Sequence, residues 1–319
     1  MTHEEALSDR RRVTVVGEVL VDLLWREGAH TPVPVPGGSP ANVAIGLHRL
    51  GRPTTLVTSW GDDPPGARIG AHLDASGVDV IRVPDSSGRS TVALAYLDGN
   101  GSATYDFLAS WDPERLDVPA DTAVLHTGSL AAVLEPGADE VLRLCAEEGA
   151  PHGRAVVVDL NVRPAVQPDR DAYRAACLRL AATADVVKAS DEDLDWLFPE
   201  TAPAAAARLI ADAGPRLVVI TLGAAGAVAV SADAEVRVAA PKIAVVDTVG
   251  AGDSFQAALL DAIAQHAGPP STGERYPLPD TAEQIRAVLT RCVAAAAVNC
   301  TRTGANPPTS AELEAALAC

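Results

Sequence analysis

Short runs rich in β-branched residues alternate with helical patterns along most of the 319-residue chain. The runs that predict buried strands are residues 13–17, 55–59, 123–126, 155–159, 186–188 and 217–221. The stretches that predict helices include residues 41–50, 66–76, 140–147, 173–183 and 204–213. Such alternation is typical of a largely parallel sheet with helices on both faces, so we predict an α/β fold. A Pro- and Gly-rich segment at residues 268–279 predicts an exposed, mobile loop.

Two regions break this rhythm and predict a small additional β-sheet. Residues 20–35 continue from the first strand with alternating polar and apolar positions. Residues 90–97 and 102–108 flank Asp98-Gly99-Asn100-Gly101, a strong hairpin-turn signal. We expect one domain over residues 11–319, with lid strands at about 19–36 and 89–109. The pattern leaves open whether this lid excludes water from a reaction or is a plain surface hairpin.

Composition and charge fit this fold class. Hydrophobic residues make up 48% of the chain and aromatic residues 3%, a balance that suits parallel strands packed between helices. The net charge of −17 argues against nucleic acid or an anionic membrane as a partner. It is compatible with a local nucleotide site, because oriented backbone amides supply positive potential.

Cysteine usage and the amino terminus predict a cytoplasmic protein. Residues 1–12 are polar and lack the apolar core of a signal peptide. No run approaches the roughly 18 apolar residues of a membrane span. The cysteines are odd in number and lack metal-ligand spacing, so free thiols are expected. They are Cys145, Cys177, Cys292, Cys300 and Cys319.

The strongest chemical signal is AVVDTVGAGDSFQAALL at residues 244–260. An apolar, strand-like run ends at Asp247, and a glycine-rich turn then opens an apolar helical pattern at Asp253. Small residues before a helix let N–H groups converge on an anion, and the helix amino end adds positive partial charge. Asp253 would then accept a proton from an attacking hydroxyl beside that anion. The alternative is that Asp253 only caps the helix.

Other phosphate-binding motifs are missing from the sequence. It contains no G-x-x-x-x-G-K-[ST], and the turn after the first strand lacks G-x-G-x-x-G. Protein-kinase signatures are missing as well. The site at residues 247–255 is therefore the leading candidate.

A series of motifs in collinear order resembles the ribokinase-like (PfkB-type) carbohydrate kinases, and among them most closely the bacterial fructokinases. The series starts with Gly17-Glu18 and Asp22. It continues with PGGSPANVAIGLHRLG (36–51), WGDD (60–63), DLNVRP (159–164), KASDEDL (188–194), VITLGAAG (219–226), DTVGAGDSF (247–255) and CTRTGANPPT (300–309). Apart from DTVGAGDSF, each motif alone is weak, but their order is specific.

The resemblance implies a three-layer αβα, Rossmann-like domain with a β-lid. It also implies transfer of the γ-phosphoryl group of ATP to a hydroxymethyl oxygen of a sugar, with fructose as the expected substrate. Asp253 would be the base. Gly250, Ala251 and Gly252 would form the anion hole, the group of N–H donors around the phosphoryl group.

By the same resemblance, Asp22, Gly37, Gly38 and Asn42 would contact the sugar. Carboxylate and amide groups suit hydroxyls, and paired glycines let a ligand approach the backbone. Their alternative roles are a solvated lid residue, a plain turn and a helix-start polar group. Asn161 and Arg163 follow a predicted strand, at an edge where α/β sheets bind ligands. Arg163 would hold an anionic group or belong to a structural loop.

On the nucleotide side the resemblance implies Thr221, Leu222, Gly223 and Gly226, with Asn299 near the adenine. These residues also fit a tight turn and a buried helix-end amide. The family's N-x-x-E element, associated with Mg²⁺, reads Ser190-Asp191-Glu192-Asp193, which leaves Glu192 and Asp193 as alternative water-mediated ligands. The same residues fit an ordinary helix start. Mg²⁺ is expected with ATP.

The resemblance also suggests a K⁺ ion beside the anion hole. Its ligands would come from Asp247, Val249, Asn299 and Gly304, although Asp247 would equally serve as a cap for the turn. A homodimer formed through the lid is a further expectation.

Several other functions fit the same motifs. 2-Keto-3-deoxygluconate kinase, ribokinase and nucleoside kinase are alternatives, because residues 105–110 lack the aromatic–Arg pairing expected after the lid hairpin of many fructokinases. A non-catalytic sugar-binding regulator on the same scaffold is the alternative from another class. The presence of Asp253 and its glycines favours an enzyme.

Overall fold

The structure, a computed structural model, describes residues 11–99, 103–266 and 275–318. In these ranges the strands are β1 (Arg12–Val16), β2 (Leu20–Arg26), β3 (Val33–Gly37), β4 (Thr54–Thr58), β5 (Asp79–Arg82), β6 (Thr91–Leu97), β7 (Ala103–Leu108), β8 (Thr122–Gly128), β9 (Ala155–Asp159), β10 (Val186–Ser190), β11 (Leu217–Thr221), β12 (Ala227–Ser231) and β13 (Glu235–Val238). The helices are α1 (Ser39–Arg49), α2 (Pro64–Ser76), α3 (Gly137–Glu148), α4 (Arg170–Ala181), α5 (Asp191–Leu197), α6 (Pro203–Ala211), α7 (Ala251–His266), α8 (Ala282–Cys300) and α9 (Ser310–Leu317).

A large central sheet organises the molecule, with strand order β13-β12-β11-β10-β9-β8-β1-β4-β5. Its strands are parallel from β11 to β5, whereas β12 and β13 are antiparallel. One apolar cluster packs α1, α7 and α8 on one face, and a second packs α3, α4 and α6 on the other. The predicted three-layer α/β fold is confirmed. Parallel strands between two helical layers are buried on both faces, and β4 and β9 are accordingly buried throughout, the former with β-branched threonines among its residues.

Most predicted elements are present with small shifts at their ends. The predicted strands at residues 155–159 and 217–221 coincide with β9 and β11. Strands β5, β12 and β13 are additional to the predicted set, and β5 and β13 form the two edges of the sheet. β5 and β13 are four residues long and largely exposed, so the sequence carries little hydrophobic signal for them.

A smaller sheet has the order β3-β2-β6-β7, which confirms the predicted β-sheet addition. β2 pairs with β6 in parallel, and the other two pairs are antiparallel. Leu20 and Ala93 from this sheet pack with Leu130 of the main body, so an apolar contact holds the lid. Within the predicted turn, Asn100 and Gly101 lie outside the described residues.

Two predictions in the carboxyl-terminal half need correction. The run that ends at Asp247 is not a strand, and Val245 and Val246 are about 60% exposed. The N–H of Val246 donates to the Cys300 carbonyl at 2.8 Å, so this segment is anchored to the end of α8 and not to the sheet. In the predicted mobile loop at 268–279, residues 268–274 lie outside the described part, but Tyr276 and Leu278 are buried in the core.

Two other findings concern the cysteines and the membrane. Cys145, Cys177, Cys292 and Cys300 are free thiols, and Cys319 lies outside the described residues. Among the helices of the described ranges, none combines the length and apolar character that crossing a membrane requires.

A buried ion pair fixes α7 to the rest of the core. The Arg52 Nη2 lies 2.7 Å from Asp261 Oδ1, and both side chains are at most 3% exposed. Gln265 Nε2 donates to the other Asp261 oxygen at 2.6 Å. Removing one member of such a pair leaves a buried charge that its partner no longer compensates.

We therefore predict that Arg52→Ala lowers the free energy of unfolding by about 3 kcal/mol, because Asp261 stays buried and keeps only the longer contact to Arg291, whose Nη2 lies 3.6 Å from Oδ2. Urea denaturation measures this loss. Arg208→Ala is the matched control, since Arg208 pairs with Glu235 at the surface, and its expected cost is below about 1 kcal/mol. Similar losses in the two variants would contradict the role given to burial.

Candidate active site

Two adjoining pockets lie at the carboxyl ends of the central strands, where open α/β sheets bind ligands. One has a cavity volume of about 600 Å³ and the other about 700 Å³. Both are lined by the same five residues at their junction, Ser190, Glu192, Thr221, Thr248 and Gly252. The pockets therefore form one groove in which two ligands can meet end to end.

The amino end of α7 lies at this junction. Gly250 has a φ of +75°, and a Cβ placed on it would lie 2.6 Å from the Ala305 Cβ, so the turn requires glycine. Ser254 N–H donates to the Gly250 carbonyl at 2.9 Å and closes the first helical turn. The N–H groups of Gly252 and Asp253 precede this bond and are left for an anion. Ala251 N–H already donates to Thr248, which argues against the predicted anion-hole role of this one donor.

Asp253 is held from both sides by side chains of α1. Ser39 Oγ donates to Oδ1 at 2.7 Å, and Asn42 Nδ2 donates to Oδ2 at 2.8 Å. Asn42, predicted as a sugar contact, lines the pocket and also orients this carboxylate. Ser39 was not predicted, although it stands in the PGGSPAN motif next to the residues that were. Two fixed donors leave Asp253 with further lone pairs directed at the groove.

Lys188 is a second residue that the motif reading missed. Its Nζ lies 2.6 Å from Asp159 Oδ2, and both side chains are about 5% exposed or less. A Cβ built on Gly252 would lie 3.7 Å from the same Nζ, so the ammonium is beside the amino end of α7. The sequence signals for it are a lysine within the mostly apolar strand β10 and its place at the start of the KASDEDL motif. Lys188 adds a fixed positive charge where N–H groups already favour an anion.

The larger pocket is polar at its far end. Asp22 and Arg163 both line it, and a Cβ on Gly37 would lie 3.5 Å from Asp22 Oδ2. Burial raises the pKa of Asp22 to about 6, and the nearby Arg163 opposes this shift. Gly38 has a φ of +107° and also lines the pocket, so its backbone is open to a ligand.

Asn161 and three aromatic side chains complete the larger pocket. Asn161 lines it and donates through Nδ2 to Ser129 Oγ at 3.0 Å. Tyr105 and Phe107 enter from the lid, and Trp196 lies on the opposite wall. Polar groups with a few aromatic surfaces are typical of pockets for hydroxylated small molecules.

The two acidic candidates at the start of α5 have different surroundings. Asp193 is buried, and its oxygens accept from the N–H groups of Val162 and Ser190, each at 2.8 Å. Glu192 is exposed and lines both pockets. Asp193 also lines the larger pocket, but its oxygens are engaged in joining two loops, whereas Glu192 is exposed at both pockets.

The smaller pocket is mainly apolar. Thr221, Gly223 and Gly226 line it as predicted, together with exposed side chains of the segment corrected above. Its other apolar lining residues include Ala240, Pro241, Ile243, Val245, Phe255, Val293, Ala296 and Ala297. Leu222 is not among its lining residues. A flat aromatic base fits such a pocket, because apolar walls on two sides exclude water from its faces.

Asn299, predicted beside the adenine, lies behind the wall of this pocket. It is fully buried, donates to the Val249 carbonyl at 2.8 Å and accepts from Asn306 N–H at 2.8 Å. Asp247 accepts from the N–H groups of Val249 and Gly304, at 3.0 and 2.8 Å. These bonds tie the loop before α7 to the segment after α8, so the four predicted cation ligands do lie together.

The arrangement combines three chemical capacities at one point. It holds a carboxylate that can accept a proton, N–H donors with an ammonium that stabilise developing negative charge, and two pockets that bring reactants together. This combination suits transfer of an anionic group from a ligand with an aromatic base to a hydroxyl of a polar ligand.

Comparisons with known proteins agree with this geometry. Residues 10–312 match the model of the pfkB family carbohydrate kinases. The chain is 37% identical to a fructokinase of Rhizobium leguminosarum bv. trifolii over 76% of this chain and 77% of that protein. Among solved structures, a fructokinase double mutant of Vibrio cholerae O395 in fructose-, ADP- and potassium-bound form is 27% identical, with a TM-score of 0.80 over 97% of this chain and 99% of that one.

A ribokinase from Thermotoga maritima shares the fold, with a TM-score of 0.75 at 20% identity, over 97% of this chain and all of that one. The predicted family and its ribokinase-like fold are thereby confirmed. With a match that spans nearly the whole chain, this protein belongs to the pfkB family of carbohydrate kinases.

Proposed function

We propose that the protein is an ATP-dependent fructokinase that phosphorylates a hydroxymethyl oxygen of fructose. The observation that carries the proposal is the position of Asp253, which lies in the polar pocket beside the N–H donors of α7 and next to Gly252, a residue that lines both pockets. The apolar pocket would take the adenine, and the polar pocket the sugar. Fructose is favoured because the similar proteins described above are fructokinases.

In the proposed reaction Asp253 accepts the proton of the hydroxymethyl group as the oxygen attacks the γ-phosphorus. A bond forms between this oxygen and phosphorus, the bond to the bridging β–γ oxygen breaks, and ADP leaves with that electron pair. Ser39 and Asn42 hold the carboxylate in place, so little reorganisation is needed when the hydroxyl arrives.

Charge on the transferring phosphoryl group would be stabilised by donors that are already fixed. The N–H groups of Gly252 and Asp253 are orphan donors at a helix amino end, where an anion also gains from the helix dipole. Lys188 supplies a full charge beside them, and Asp159 holds it in position. Arg163 is a further cation at the sugar end of the groove.

The described residues fit magnesium and a monovalent cation. Glu192 would hold Mg²⁺ through water, because its carboxylate is exposed to both pockets. Bound Mg²⁺ would neutralise charge on the phosphates of ATP. Asp247 and the Val249 carbonyl offer oxygens of the kind that K⁺ accepts, and each keeps a second lone pair beside its present hydrogen bond.

Sugar recognition would use Asp22, Asn161 and the backbone of Gly38, which lines the pocket, with Gly37 supporting Asp22. Hydroxyl groups both donate and accept, so a carboxylate, an amide and backbone groups match them. A cytoplasmic location and a homodimer formed through the lid belong to the same proposal.

Replacing the proposed base tests the mechanism directly. Asp253→Asn keeps the size and the Ser39 contact but cannot accept the proton, so we expect kcat to fall by about 10²–10⁴-fold. Coupled ADP release measures the rate with fructose, ribose, 2-keto-3-deoxygluconate and adenosine as acceptors. Asp195→Asn, an exposed change on α5 outside both pockets, is the control and should keep wild-type activity.

Unchanged turnover in Asp253→Asn would eliminate Asp253 as the base. Turnover of another acceptor in preference to fructose would assign that acceptor as the substrate and leave the proposed role of Asp253 unchanged. A folded wild-type protein that turns over none of the four would favour the sugar-binding regulator.

A second prediction follows from the raised pKa of Asp22. A carboxyl group with a pKa of about 6 is ionised above this pH and protonated below it, so it loses an acceptor site as the pH falls. We expect kcat/KM for the sugar to decrease about tenfold per pH unit below pH 6. Arg163→Gln should move this decrease to higher pH, because the guanidinium favours the charged carboxylate.

Steady-state profiles from pH 4.5 to 8 test this assignment, with Asp22→Asn as the reference that lacks the titrating group. If Asp22→Asn kept the same decrease, another group would have to cause it. The KM for ATP serves as the internal control and should stay level across the variants.

A further inference from the structure

Glu18 is a buried acid that the proposed reaction does not use. It lies two residues after β1, is 1% exposed and lines the sugar-side pocket. Its Oε2 accepts from Ala131 N–H at 3.0 Å and its Oε1 from Leu130 N–H at 3.4 Å. Both N–H groups belong to the turn that begins at Ser129, and burial raises the pKa of Glu18 to about 7.

A hydrogen bond between Ser129 and Asn161 extends this arrangement to the segment after β9. Asn161 Nδ2 donates to Ser129 Oγ at 3.0 Å. Ser129 and Asn161 both have positive φ, +56° and +39°, which is uncommon for residues other than glycine. Ser129 directly follows β8, and Asn161 lies two residues after β9, the neighbouring strand. Hydrogen bonds therefore connect the segments that follow the three adjacent strands β1, β8 and β9.

The direction of the hydrogen bond between Asn161 and Ser129 determines which atom of the Asn161 amide faces the pocket. A serine hydroxyl has one proton, and its oxygen can still accept. Here the Ser129 oxygen accepts from the Asn161 amide nitrogen. The Asn161 carbonyl oxygen is then turned away from Ser129 and is available to a donor in the pocket that Asn161 lines.

We propose that Glu18 is a positioning residue for the sugar: through Ser129 it holds the Asn161 carbonyl oxygen where it accepts a hydrogen bond from a sugar hydroxyl. The proposal rests on the sugar-kinase function proposed above. It concerns the binding of the sugar and leaves the phosphoryl-transfer chemistry to Asp253 and its neighbours.

The same turn also contacts the lid. Leu130, whose N–H donates to Glu18, packs with Leu20 and Ala93 of the smaller sheet. Phe107 of the lid packs against this cluster and lines the same pocket. Glu18 thus fixes a turn that contributes both a polar contact for the sugar and an apolar contact for the lid.

A purely structural role is the competing explanation. Capping two N–H groups of a buried turn is enough to stabilise the fold, since unsatisfied buried donors are costly. That role predicts a loss of stability and no selective change in sugar affinity. The two explanations therefore differ in the Michaelis constants.

The experiment compares Glu18→Gln, Ser129→Ala and Asn161→Gly in the full-length enzyme, with fructose as the probe. Glycine tolerates the positive φ of residue 161, so this variant removes the side chain without backbone strain. We expect Glu18→Gln and Ser129→Ala each to raise the KM for fructose about tenfold, the effect of losing one hydrogen bond, with kcat and the KM for ATP within about twofold.

A double-mutant cycle tests whether Glu18 acts through Asn161. In the Asn161→Gly background, Glu18→Gln should raise the KM for fructose by less than about twofold, because the group it positions is gone. Asp185→Asn is the matched control. Asp185 is a buried carboxylate that accepts from Val156 N–H at the opposite end of the sheet. Its variant should lose stability in urea without a change in either Michaelis constant.

Lower stability in Glu18→Gln with an unchanged KM for fructose would overturn the proposal in favour of the structural role. Additive effects of Glu18→Gln and Asn161→Gly would overturn the link through Ser129. If Glu18→Gln does not fold, the KM of Ser129→Ala for fructose decides between the positioning role and the structural role, because this variant keeps the Glu18 carboxylate. A wild-type enzyme that turned over no sugar would overturn the proposed function and this inference with it. That outcome is distinct from the others, in which the wild-type enzyme is active and only the variants differ.

Discussion

The site depends on one constraint: α7 must begin at the point where the two pockets meet. Gly250 allows this, because a side chain at its position would collide with Ala305. From that start, Asp253 comes within reach of Ser39 and Asn42, and the free N–H groups of the helix come beside Lys188. A shift of α7 would disturb the carboxylate and the anion-binding donors together. The buried Arg52–Asp261 pair resists such a shift two turns further along the same helix.

A protein with a negative net charge can still have a locally positive site for phosphate. The chain has a net charge of −17, yet the groove junction combines orphan N–H groups with one ammonium. Asp159 compensates Lys188 at 2.6 Å, so the lysine is buried without being left unpaired. Local geometry therefore decides the potential that a phosphate meets, whereas net charge mainly affects solubility.

Sequence reasoning succeeded where chemistry and local pattern coincide. Gly250, Gly252 and Asp253 are adjacent in the chain, so one motif places them together. Long apolar runs likewise predicted β9 and β11 correctly, since a parallel strand buried on both faces has few alternatives. The short edge strands carry no comparable signal.

The features that the sequence did not predict depend on contacts between segments that are distant in the chain. Whether residues 244–247 form a strand depends on whether a partner strand lies beside them, and here the Cys300 carbonyl takes that place. Glu192 and Asp193 are neighbours with the same charge, but Glu192 is exposed at both pockets, whereas Asp193 is buried and accepts from Val162 N–H. Lys188 gains its role from Asp159 and Gly252, 29 and 64 positions away in the chain.

The Arg52–Asp261 pair also has a consequence for how this sequence can change over time. Loss of Asp261 leaves the Arg52 guanidinium buried without this carboxylate, and loss of Arg52 leaves Asp261 with only the 3.6 Å contact to Arg291, so each single substitution produces a destabilised intermediate. Positions 52 and 261 are therefore expected to covary among relatives, retained together or replaced together by apolar residues of similar volume. Two residues separated by 209 positions in the chain would then be inherited as a single unit.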